Sequence, residues 1–284
     1  MVAILLFACP LRAAASIDDI RIDGSIVEAD FAVRNSSGTL TIRFESVSNL
    51  TVGNLGLSIE ELDPESKQVL RRLLPGVSIP MNFPVRIRID PPADGGLSFT
   101  GVVTVEIYTH DLRLTEDSKF RLLSAPHDGI FVDITQSVSA GSIRPKSTKG
   151  NFSDFIIGID RRPHSDVIES KFVQLATLLD EHESRISPEL HAELETLCAA
   201  AAGAYGSGEI VSAIDYLHVF HDRVKSESGP GVPDVWRASG DLINVAGNLR
   251  AATDTLRYSL TLVANSSGLR SDKSFKRKTR GKLH

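Results

Sequence analysis

Two histidines three residues apart, His218 and His221 in "AIDYLHVFHDRV" (213–224), come closest in type and spacing to metal chemistry. Asp215 and Asp222 flank them. At about 100° per residue on a helix, Ile210, Ala213, Ile214, Leu217, Phe220 and Val224 gather on one side. His221 falls roughly 50° from their centre, on the rim of the core face, and His218 roughly 110° away with Asp222 further round. The candidate ligand set is therefore His218, His221 and Asp222. A catalytic zinc needs three protein ligands and an open position. The common helical zinc signature spaces its histidines by four and sets a glutamate beside the first, and this stretch has neither feature. His182 and His191 could add a ligand, but no pattern brings them near. The plainer reading is a rim histidine at 221 and an i,i+4 surface pair between His218 and Asp222, worth a few tenths of a kcal/mol.

The remaining motifs are weaker. "AYGSGE" around Ser207 shares glycines with a nucleophile elbow, but an elbow follows a strand, and these glycines read as a helix stop and turn. "DPPADGG" and "THDLRLTEDSK" place carboxylates in strand-end loops without the alternating Asp/Asn spacing of a calcium loop. "NSS", "NLT", "NFS" and "NSS" at 35, 49, 151 and 265 match glycosylation sequons, which matter only for a chain secreted by a eukaryote. No acid, base and nucleophile converge from motifs. The chain therefore reads as a non-enzymatic module, and no cofactor is expected. A metal-dependent hydrolase using the His218/His221 helix is the alternative, and a structural subunit of a surface assembly a third reading.

These residues need elements to hold them. Period-two alternation dominates residues 16–160. Leu40, Ile42 and Phe44 share one face; so do Val85, Ile87 and Ile89, and again Val103, Val105 and Ile107. Turn signals separate these runs, which suggests an Ig-like antiparallel sandwich. "LDPESKQVLRRLL" interrupts it with a helix capped by Asp63 and begun by Pro64. From Pro163 the period becomes 3.6. Ile168, Phe172, Leu175 and Leu179 form a stripe, as do Leu190, Leu194, Leu197 and Ala201 after Ser187 and Pro188, and Leu242, Leu249, Leu256 and Val263 recur every seven residues. The expected fold is an all-β N-terminal domain over 16–160, then an all-α up-and-down helical bundle over 163–266. Cys198, among alanines, reads as a small core residue.

The ends carry the address. "MVAILLFACPLRAAAS" is a short apolar run closed by small residues, with Ala13 and Ala15 placed for cleavage before Ser16. It reads as a signal peptide over 1–15 and predicts secretion or a periplasmic or cell-envelope location. Lipidation at Cys9 ranks below that cleavage. No later run is long and apolar enough to span a bilayer, so no transmembrane span is expected. The formal net charge of −5 argues against nucleic acid as partner. The charge is uneven, however: residues 268–284 hold a net +6, leaving −11 on the rest. The segment 267–284 lacks periodicity and reads as a basic disordered tail. Its Lys273, Lys276, Arg277, Lys278, Arg280 and Lys282 are candidate contacts for an anionic lipid surface, a cell-surface polymer or another envelope protein. Docking onto the acidic helical part is a further possibility, since 163–266 carries fifteen Asp or Glu against seven Lys or Arg.

A resemblance adds to this reading. "FRLLSAPHDGIFVDITQSVSAGSIRPKSTKGNFSDFIIGIDRRP" and "PDVWRASGDLINVAGNLRAATDTLRYSLTLVAN" resemble an uncharacterised family of exported bacterial two-domain proteins with no assigned activity. The segment "AIDYLHVFHDRVKSESG", with Phe220, Val224 and Gly229, resembles FIMAH-type helical domains of secreted bacterial proteins. That likeness implies an extracellular accessory module and carries no catalytic residue.

Overall fold

The computed structural model describes residues 16–113, 118–138 and 145–266. Strands β1 (Ser16–Asp23), β2 (Ile26–Val33) and β3 (Ser36–Ser48) pair in sequence. Burial alternates strictly along β2, with Val27, Ala29, Phe31 and Val33 inward, as period-two patterning demands of a sheet with one dry face. A single helical turn, α1 (Val52–Leu55), leads into β4 (Leu57–Glu61), and a second, α2 (Lys67–Leu70), precedes β5 (Val77–Ser78) and β6 (Val85–Ile89). There follow β7 (Ser98–Tyr108), β8 (Phe120–Ala125), β9 (Val132–Asp133), β10 (Ser137–Val138), β11 (Pro145–Lys149) and β12 (Asp154–Asp160). The first sheet runs β1-β2-β3-β7-β11-β10 and the second β4-β6-β12-β8-β9, with β5 on β12. All strand pairs are antiparallel, and the two sheets share one core that includes Phe31, Ile42, Ile87, Val105, Leu122 and Phe155.

Four long helices follow: α3 (His164–Glu181), α4 (Pro188–Gly206) and α5 (Ile210–Ser226), then, after strand β13 (Val235–Arg237), α6 (Val245–Ser266). Each packs on two neighbours around a second core of Ile168, Leu175, Leu194, Leu217, Phe220 and Leu256. Pro188 begins α4 at the position its ring favours, while Ser187 holds the cap site without a side-chain capping bond.

The clean division into an all-β domain and an all-α bundle is overturned. Strand β13 comes from the helical half, yet it pairs with β7 through Val235↔Thr100, Trp236↔Phe99 and Arg237↔Ser98 and so completes the first sheet. Trp236 stacks on Phe99 at 5.3 Å and meets Phe152 edge-on. Helix α6 is shared as well: one face enters the helical core and the other lies on β7 and β11. Three residues of strand carry no readable period; their conformation is set by the β7 edge they dock on. The docking point is a bulge. Between Phe44↔Val103 and Ser46↔Thr100, β7 uses one residue more than β3, with Gly101 at φ +76°. Gly101 N–H donates to Asp234 O, and its carbonyl accepts from Asn244 Nδ2.

The helix expected over 63–74 shrinks to the one turn α2, capped by Ser66, whose Oγ accepts from Val69 N at 3.2 Å. Asp63 forms a local turn, accepting from Glu65 N at 3.0 Å. Leu73, in the expected helix, bridges to Phe131. Tertiary pairing therefore outweighs helix propensity in this segment.

Candidate functional site

Strand β11 carries an inward lysine. Lys149 pairs with Val103, whose side chain lies in the sandwich core, and antiparallel partners point the same way. Across the gap, Ser124 on β8 stands two residues beyond inward Leu122 and shares its face. Ser153, ending the turn that starts at Gly150, closes the group. Lys149 Nζ lies 3.1 Å from Ser124 Oγ and 3.3 Å from Ser153 Oγ, and the two hydroxyl oxygens are 2.5 Å apart. The Phe155 ring is 6.0 Å from the amine. Burial pushes the Lys149 amine down to about 8, and among the described residues no carboxylate offsets the shift. Ser124 is fully buried, whereas Ser153 and Lys149 are partly exposed at the rim. A neutral amine that bridges two hydroxyls can accept a proton from one of them. Sequence reasoning missed the group, because Lys149 in "RPKSTKGNFSD" reads as a loop residue and Ser124 lies 25 positions away.

The carboxylate adjacent in sequence, Asp154, is committed to the opposite face of the second sheet. Arg88 Nε reaches it at 2.7 Å and Arg72 at 3.0 Å, with an Arg86 nitrogen at 3.6 Å. Burial would raise Asp154, but the hydrogen bonds from Arg88 and Arg72 hold it below the ordinary carboxylate range. Arg72 also donates to Gly129 O and Pro126 O and covers the Phe131 ring. This cluster ties a loop to the sheet.

A third polar group joins the two halves of the chain. Lys171 on α3 is buried, with Nζ 2.8 Å from Asp133 Oδ2, 2.7 Å from Thr255 Oγ1 and 2.9 Å from Ser259 Oγ. Burial works against the Asp133 carboxylate, yet Lys171 and Thr135 keep it ionised and below its ordinary range. Nearby, Arg250 on α6 pairs with Glu45 on β3 through two contacts of 2.6 and 2.9 Å.

The histidines take different places. His218 is exposed, with Nε2 3.6 Å from Asp222 Oδ2 across one helical turn. His221 is largely covered, its Nδ1 3.4 Å from Asp222 Oδ1 and its Nε2 3.8 Å from Asp254 Oδ1 on α6. Burial pushes Asp254 above its ordinary range, against the pull of His221 and Arg257. Gln136 Nε2 donates to Asp254 at 2.9 Å. His191 sits elsewhere, with Nε2 3.3 Å from Leu179 O. Among the described residues no group of three or more His, Cys, Asp or Glu is placed to hold a metal ion. The basic contacts Lys273, Lys276, Arg277, Lys278, Arg280 and Lys282, like the leader at 1–15 with Cys9, lie outside the described residues.

Between α3 and α4 runs an open apolar groove of about 430 Å³, lined by Phe172, Val173, Ala176, Leu179, Cys198 and Ala202. Asp180 and Glu195 stand at its rim. Val173 is 66% exposed there. Cys198 is a free buried thiol, pushed up to about 11 by burial, which makes it a poor nucleophile.

Among the described residues no helix is long and apolar enough to cross a membrane. No curated protein matches the sequence. The model of a family of unknown function (DUF6689) matches residues 2–264, nearly the whole chain, and the protein belongs to that family.

Proposed function

We propose that the protein is an exported interaction module that binds a segment of another envelope protein through its helical face. The carrying observation is the α3–α4 groove: an apolar floor with Val173 open to solvent, and carboxylates at its rim. Exposed apolar surface rimmed by charge is a recognition feature. Its chemistry suits one or two apolar side chains flanked by Lys or Arg. The net −8 of residues 163–266 favours the same kind of partner. The small-residue site at Ala13 and Ala15 supports export, and the likeness of 163–266 to FIMAH-type modules supports an accessory role outside the cell. The basic segment 267–284 would add attachment to an anionic surface.

A fluorescein-labelled peptide with leucines at helical spacing among lysines tests this on the full chain. We expect micromolar binding that weakens at least tenfold with Val173→Asp and again in 0.5 M salt. Binding that ignores Val173→Asp would refute the groove as the site.

A further inference from the structure

We propose that Ser153, Ser124 and Lys149 form an acyl-accepting site, with Ser153 the nucleophile toward an activated carbonyl such as an ester, thioester or strained lactam. The site lies at the rim of the sandwich, on elements remote from the α3–α4 groove, and the proposal stands independently of that reading.

Three observations carry it. The amine lies within hydrogen-bond distance of both hydroxyls, the geometry a general base needs. Among the described residues no acidic side chain is paired with Lys149, and burial disfavours the charged amine and lowers it to about 8, so the neutral base forms as pH rises past that point. The two serines differ in access: Ser124 is fully buried, while Ser153 sits partly exposed at the end of a turn. Ser153 is thus the more accessible of the two hydroxyl-bearing residues. Ser124, 2.5 Å from it, is a positioning residue that fixes its rotamer and shares its proton.

The step balances without a cofactor. Ser153 Oγ attacks the carbonyl carbon as its proton passes to the neutral Lys149 Nζ. The bond from carbon to the leaving group then breaks, and the leaving group takes that proton from Lys149. Water repeats the sequence to free the acid and restore Ser153. A lysine turned inward near a sheet edge can serve merely to discourage edge pairing. That role requires hydroxyl partners for the amine but gives neither serine any reactivity.

The test is covalent labelling of the full-length protein with a fluorophosphonate probe, read by intact mass and peptide mapping. We expect one adduct on Ser153, with a labelling rate that rises through a midpoint near pH 8. Ser153→Ala abolishes the adduct, Lys149→Met slows labelling at least a hundredfold, and Ser124→Ala slows it about tenfold. Each variant is checked for an unchanged near-ultraviolet circular dichroism spectrum. The proposal is overturned if folded wild-type protein carries no adduct at Ser153 at pH 9. It is equally overturned if labelling of Ser153 proceeds undiminished in Lys149→Met, or if the adduct maps to Ser124.

Discussion

Lys149 is the residue at which folding and reactivity conflict. Its amine is buried with hydroxyl partners and, among the described residues, no carboxylate, and it is held near 8 instead of its ordinary 10.5. Below about pH 8 the folded and unfolded chains both carry the proton, and the folded state bears the full cost of the buried charge. Between about 8 and 10.5 the unfolded chain binds the proton and the folded chain does not, so stability rises with pH across this window. The span corresponds to at most about 3 kcal/mol at 1.36 kcal/mol per unit. Lys149→Met removes the charge and keeps the volume. We expect it to be more stable than wild type at pH 7 by about 1–3 kcal/mol and to lose the rise between 8 and 10.5. Urea midpoints at several pH values for the two proteins check this. A stabilising change at a residue that the proposed chemistry needs is the trade-off between stability and activity expected of a functional site.

At the scale of elements, close approach decides where small residues are required, and two helical glycines show the contrast. A Cβ on Gly247, at the start of α6, would meet Asn244 Nδ2 at 2.5 Å and Gly101 O at 2.7 Å. A Cβ on Gly203, in α4, meets nothing within 4 Å. Helix propensity alone favours alanine at both by up to about 1 kcal/mol. We expect Gly203→Ala to stabilise by about 0.5–1 kcal/mol. Gly247→Ala should destabilise by about 1–3 kcal/mol, because α6 must lift from the β7 bulge. Thermal melts of the two variants separate the cases. Much of this scaffold was legible in the sequence: the alternation of Leu40, Ile42 and Phe44 marks a strand, and Ser187–Pro188 marks the start of α4. What escaped depends on partners distant in the chain. Strand β13 exists because β7 offers an edge, the α2 region is reshaped by the Leu73–Phe131 bridge, and Lys149 points inward because Val103 sets its register. His221 was readable as a rim residue from helical geometry, but its neighbour Asp254 was not, since that carboxylate comes from another helix.

For the whole molecule, the number of cooperative units is the deciding quantity. The sandwich and the helices have separate apolar cores, which on its own would allow two independent transitions. Three connections argue for one. Strand β13 belongs to the first sheet, α6 contributes to both layers, and Lys171 with Asp133 forms a buried ion pair between α3 and β9. The single tryptophan, Trp236, reports on this arrangement, because it is packed against Phe99 and Phe152 at the β13 docking point. We expect urea unfolding followed by Trp236 fluorescence to coincide with unfolding followed by helical circular dichroism. Lys171→Met should leave Asp133 buried without its partner and cost about 3–5 kcal/mol. Both probes should then shift together, because the pair belongs to neither half alone. If Lys171→Met lowers the helical transition and leaves the Trp236 transition in place, the two halves fold independently and the pair is a local contact of the helices. Lys171→Met with Asp133→Leu removes both charges and should recover most of the loss, which separates the cost of the unpaired carboxylate from any loss of packing.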